Sequence, residues 1–155
     1  MHYEEMLIAS DRENLIVKEK DLYSSDGRIN GNRIAIRKSI DTQIEKSCVL
    51  AEELGHYYTT TGNILDQGNI SNRKQEYRAR LYGYNLKIGL KGLINAFEHG
   101  CKTSSEVAEY LDVTEKYLHD AISCYTKKFG TYTTFNNYII YFCPCLGVMR
   151  MKWYY

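Results

Sequence analysis

Between residues 42 and 60 the apolar positions recur with a helical period. Ile44, Cys48, Ala51, Gly55 and Tyr58 fall on one face, with Leu54 bordering it. Thr42 followed three residues later by Glu45 reads as a capping box, so a helix is expected to begin there. It is expected to stop in "TTTG", where threonines run into Gly62. Ahead of it, Ile34 and Ile36 alternate with Arg33, Ala35 and Arg37, which is the period of a half-buried strand. Turn signals at Asp26-Gly27 and Asn30-Gly31 suggest a hairpin reaching back to Leu22–Tyr23.

Beyond a polar loop at 62–71, further helices are expected over about 73–88 and 90–99, the latter ending at Gly100. Thr103-x-x-Glu106 and Thr114 cap two more. The end of the chain is β-like, with Tyr132–Thr134 and Tyr138–Phe142 around Asn136-Asn137. Residues 2–9 have a helical pattern. The sum is an α+β chain, dominated by helix, with a small sheet drawn from both ends and a single domain over 1–155. Within it, residues 103–128 resemble a helix-turn-helix.

Composition narrows the function little. The net charge of +1 gives no global pull towards nucleic acid or an anionic membrane. No signal peptide pattern opens the chain, and the apolar run 138–149 is too short to span a bilayer. Five cysteines, an odd number, then read as reduced thiols in a cytoplasmic protein. The "CPC" at 143–145 is read as buried strand cysteines.

The candidate chemistry lies in "LAEELGHYYTTT", residues 50–61. On a helix, Glu52 and His56 sit about 40° apart and one turn from each other, so both can reach one metal ion. Glu53 lies about 60° round from His56, at the edge of such a site, where a general base belongs. A third ligand is needed, and Glu76 supplies one. Ala79 and Gly83 share its helical face, and small residues let two helices approach closely. Asp66 is a rival third ligand. His2, His99 and His119 have no partner ligand at helical spacing and are read as surface residues.

"RIAIRKSI", "CVLAEELGHYYTT", "NRKQEYRARLYGYN" and "SSEVAEYLDVTEKYLHDAI" together resemble the ImmA/IrrE family of metallopeptidases. The resemblance covers most of residues 20–142. It implies a gluzincin-like active-site helix followed by a second ligand helix. It also implies zinc held by His56 and Glu76, and Glu53 as the catalytic base. In mobile-element members of that family the protein substrate is a helix-turn-helix repressor, which is cleaved or inactivated.

Position 52 departs from the family, which has histidine there. A carboxylate is an acceptable zinc ligand. Two carboxylates and one imidazole make a formally neutral site in place of a +1 site, and harder ligands shift preference towards Mn²⁺ or Fe²⁺. Two functions follow. One is a metal-dependent endopeptidase that holds an extended peptide beside strand 33–37. The other is a catalytically impaired, protein-binding regulator. Direct DNA binding is not expected, because the second helix of 103–128 begins Glu115-Lys116-Tyr117 and lacks base-reading Arg and Gln.

Overall fold

The computed structural model describes residues 1–60 and 69–152. The chain divides into two compact units, Met1–Lys87 and Ile88–Tyr155.

The first unit opens with helix α1 (Tyr3–Arg12), followed by strands β1 (Ile16–Lys20), β2 (Gly27–Asn30) and β3 (Arg33–Arg37). Helices α2 (Gln43–Thr60) and α3 (Asn69–Lys87) complete it. The sheet order is β1-β3-β2, with β1 parallel and β2 antiparallel to β3. Asn30 pairs with Arg33 across the two-residue turn Gly31-Asn32, and Gly31 has φ of 60°. Only a residue free of Cβ takes that conformation at no steric cost.

The hairpin partner of β3 is therefore 27–30. Leu22–Tyr23 lies outside any strand, and Tyr23 is 96% exposed. The strand β1 carries no hairpin signal, because it joins β3 in parallel and its sequence, Ile-Val-Lys-Glu-Lys, is mostly exposed. Strand β3 is flanked on both sides, so its backbone groups are already committed and no peptide can add beside it. Among the described residues, the outer edge of β2 is unpaired.

Ile34 and Ile36 are the inward residues of β3. They join Tyr3, Met6, Leu15, Leu50, Ala51 and Leu54 in one core, so the sheet, α1 and α2 share a single apolar interior. Two lysines are buried with it, and both are satisfied. Lys46 Nζ lies 2.9 Å from a Glu19 carboxylate oxygen. Lys87 Nζ donates to Ser47 Oγ at 2.8 Å and to the Met1 carbonyl at 2.7 Å. The second lysine thereby ties the end of α3 to α2.

The second unit holds helices α4 (Gly89–His99), α5 (Ser104–Tyr110) and α6 (Glu115–Phe129). Strands β4 (Tyr132–Phe135), β5 (Tyr138–Tyr141) and β6 (Gly147–Arg150) follow. Gly100 ends α4 with φ of 99°, in the left-handed C-cap. Thr103 and Glu106 form a complete capping box on α5, and Thr114 Oγ1 accepts from the Tyr117 amide at 3.0 Å on α6. The strands form a second antiparallel sheet, β4-β5-β6, so the two ends of the chain build separate sheets, not a shared one. Helix dominance in an α+β fold holds in both units. Among the described residues, no helix is long and apolar enough to cross a membrane.

Cys143 and Cys145 are exposed, contrary to the reading as buried strand residues. Pro144 cannot donate to a ladder, so β5 ends at Tyr141 and both thiols stand in the connection to β6. No disulfide links the five cysteines.

Candidate metal centre

The centre is built by α2 and α3. Thr42 Oγ1 accepts the Glu45 amide at 3.1 Å and fixes where α2 starts. The buried stripe of α2 (Ser47, Cys48, Leu50, Ala51, Leu54 and Gly55) then fixes its rotation. With that stripe facing inward, Glu52 and His56 project from its flank towards α3, and Glu53 lies against β2.

The approach of α3 is unusually close. A Cβ placed on Gly55 would lie 2.0 Å from the Ala79 carbonyl oxygen and 2.8 Å from its carbon. The backbone of α3 therefore rests against Gly55, and Ala79 is fully buried at the contact. His56 adjoins Gly55 in sequence, and Glu76 lies one turn before Ala79. The contact therefore carries the two side chains towards each other, and His56 Nε2 lies 3.5 Å from Glu76 Oε2.

Glu52, His56 and Glu76 each offer a ligand atom, and these atoms all lie within 4.8 Å of one another. Among the described residues no other three-residue group of metal-ligating side chains comes together. The donor set suits a divalent ion. One imidazole nitrogen and two carboxylate oxygens make a borderline-soft, oxygen-rich site. The 3.5 Å separation of His56 and Glu76 is close to the edge of a tetrahedron with bonds of about 2.1 Å. All three side chains keep part of their surface open, His56 24%, Glu76 40% and Glu52 42%, which leaves an approach for a further ligand.

Arg80 was not singled out in the sequence. Its Nε lies 2.8 Å from Glu76 Oε1 and 3.7 Å from Glu52 Oε1. The signal was present, since Glu76 and Arg80 stand at i and i+4 on one helix. Arg80 places a positive charge beside the two carboxylates. Asp66 lies outside the described residues. Tyr58 donates its hydroxyl to the Glu13 carboxylate and stacks on Tyr82 at 5.2 Å, and Tyr57 meets Tyr58 edge-on at 5.0 Å.

Glu53 occupies a different environment from its neighbours. It is packed against β2, where a Cβ on Gly27 would come within 2.6 Å of Glu53 Oε1 and 2.8 Å of Val49 Cγ1. The absent side chain at Gly27 is what leaves room for this carboxylate. Burial, then the charges of Glu52 and Glu76, push the Glu53 carboxyl from 4.5 up to about 7.

The gene product can now be placed among known proteins. An IrrE N-terminal-like peptidase domain matches residues 12–123, more than two thirds of the chain. This chain belongs to that family. The match runs through the centre just described and carries with it a metallopeptidase-type function. Comparison with curated proteins and with solved structures finds no match.

The raised Glu53 carboxyl has a consequence for the metal-free IrrE-like chain. A carboxyl that holds its proton more tightly folded than unfolded stabilises the fold most below pH 4.5, and that contribution is lost as pH rises through about 7. Thermal unfolding in chelator is expected to show the parent falling in stability between pH 5 and pH 8 relative to Glu53→Gln. Parallel profiles for the two proteins would contradict this environment for Glu53.

Proposed function

We propose that this chain is a metal-dependent endopeptidase. Glu52, His56 and Glu76 would hold the ion, zinc in the first instance, and Glu53 would be the general base. A divalent ion in this position supplies Lewis acidity towards a peptide carbonyl and towards water. The remaining work belongs to the chain itself. A Glu53 oxygen takes a proton from the attacking water, and the same carboxyl can return it to the departing amine. Burial against Gly27 keeps that carboxyl poised to hold a proton near neutral pH. The observation that carries the reading is the convergence of Glu52, His56 and Glu76 beside a carboxyl of raised proton affinity.

The peptide is proposed to add to the outer edge of β2. That edge is unpaired among the described residues, and β2 begins at Gly27, against Glu53. The substrate is proposed to be a helix-turn-helix repressor of a prophage or other mobile element, on the family resemblance, and the setting the cytoplasm. The test is incubation of metal-loaded protein with the repressor encoded beside its gene. Cleavage that stops in chelator and resumes on adding metal supports the endopeptidase. Repressor binding without cleavage under every metal condition supports the protein-binding regulator in its place.

The ligand set makes its own prediction. His56→Ala and Glu76→Ala should each lose most bound metal in elemental analysis while keeping the parent's circular dichroism. Glu52→Ala should do the same, whereas Glu52→His should still bind zinc, because either side chain reaches the ion from one turn before His56. Equal metal in parent and Glu52→Ala would remove Glu52 from the set.

A further inference from the structure

Strand alternation sorts the charges of the first sheet onto opposite faces. The inward side of β1 carries Glu19, which pairs with Lys46. The outward side carries Lys18 and Lys20. Their neighbours across β3 are Ala35 and Arg37, and Ala35 is flanked on its other side by Arg28 of β2. Arg33 completes the row before. Arg37 is neutralised by Asp26 at 2.6 Å. Lys18, Lys20, Arg28 and Arg33 have no ion-pair partner among the described residues.

The result is a cleft of about 390 Å³ with Ala35 on its floor and these four cations around it. A chain with a net charge of only +1 has thus concentrated four uncompensated positive charges on one face of three short strands. Like charges so placed repel one another, and an anionic partner relieves the repulsion.

We propose that this face docks an acidic, extended segment of the protein substrate, an inference that rests on the endopeptidase reading. Two observations favour polypeptide over nucleic acid. The cleft has no aromatic side chain in its lining on which a base could stack, and it includes the apolar Ile16 and Ala35. The cleft also shares β2 with the candidate centre, since Arg28 lines the cleft and Gly27, the residue before it, abuts Glu53. A strand added to the edge of β2 would turn alternate side chains to the same side as Arg28. Glutamate or aspartate at those positions would meet Arg28, and Lys18, on the far side of Ala35, would add longer-range attraction.

The experiment is fluorescence anisotropy on the full-length parent protein in chelator. The probe is a short labelled peptide alternating glutamate with threonine, and the control has glutamine for each glutamate. The acidic peptide should bind at least about tenfold more tightly than the control, and the preference should shrink as salt is raised. Lys18→Glu with Arg28→Glu should abolish the preference. Lys18→Gln with Arg28→Gln, a milder pair, should reduce it with the fold intact by circular dichroism. Equal binding of the two peptides, or a preference that survives both variant pairs, would overturn the proposal. So would a single-stranded oligonucleotide that outcompetes the acidic peptide and loses affinity in the same variants. Because the assay needs neither metal nor turnover, an inactive protein that passes it retains the docking surface. A protein that cleaves repressor yet fails it retains only the peptidase.

Discussion

Glu53→Gln is expected to leave a folded, metal-binding protein whose peptide hydrolysis is down by about 10²–10⁴-fold. Glutamine keeps the shape of the side chain, so the packing against Gly27 and Val49 survives. What it loses is the oxygen that accepts a proton. The substitution should not weaken metal binding, because Glu53 is not one of the three converging ligands. Removing a half-buried carboxyl of raised proton affinity also relieves an unfavourable charge at pH 8, so the variant should melt no lower than the parent there. Single-turnover cleavage, elemental analysis and thermal melts on one preparation separate the three statements. Near-parental turnover would take Glu53 out of the mechanism.

Gly55→Ala should do the opposite, damaging fold and centre together. By helix propensity alone the change favours the helix by about 1 kcal/mol. The contact reverses the sign. The added methyl would stand 2.0 Å from the Ala79 carbonyl oxygen, which belongs to a helix backbone and cannot swing aside as a side chain could. Overpacking of this kind typically costs about 1–3 kcal/mol, and the close backbone contact places this case at the upper end. If α3 shifts to make room, the 3.5 Å separation of His56 and Glu76 widens and metal affinity falls. A lower melting temperature accompanied by lost metal is the expected result. A variant as stable and as metal-rich as the parent would show that α2 and α3 lie further apart than the structure places them.

The two substitutions also separate the endopeptidase from the protein-binding regulator. In a working endopeptidase, Glu53→Gln removes an activity that Gly55→Ala removes by another route, and only the second changes metal content. In a protein-binding regulator neither touches turnover, and Gly55→Ala still lowers stability. Arg80, 3.7 Å from Glu52 and 2.8 Å from Glu76, sets a positive charge against the two carboxylates.

Much of this protein was legible along the chain, because much of it is local. The period of α2, its Thr42 cap, the pair of caps at Thr103 and Thr114 and the left-handed stop at Gly100 depend on residues within a turn of one another. So does the stacking of Glu52 and His56. Even the meeting of Glu76 with His56 had a sequence signal, since Gly55 and Ala79 are small on the faces that must touch. Other features depend on what lies across space. Strand β1 is an exposed, polar segment made a strand only by its parallel partner, and no hairpin pattern announces a parallel pairing. The separation of the strands into two sheets, and the burial of β3 between two neighbours, follow from which strands find each other and not from any one strand's pattern. The raised carboxyl of Glu53 needs the missing side chain at Gly27, distant in sequence, and the charges of Glu52 and Glu76. The basic cleft likewise joins residues of three strands that no spacing rule connects. Helical periodicity and capping are written within a few residues, whereas strand partners, proton affinity and charge clusters arise only when distant segments are brought within a few ångströms.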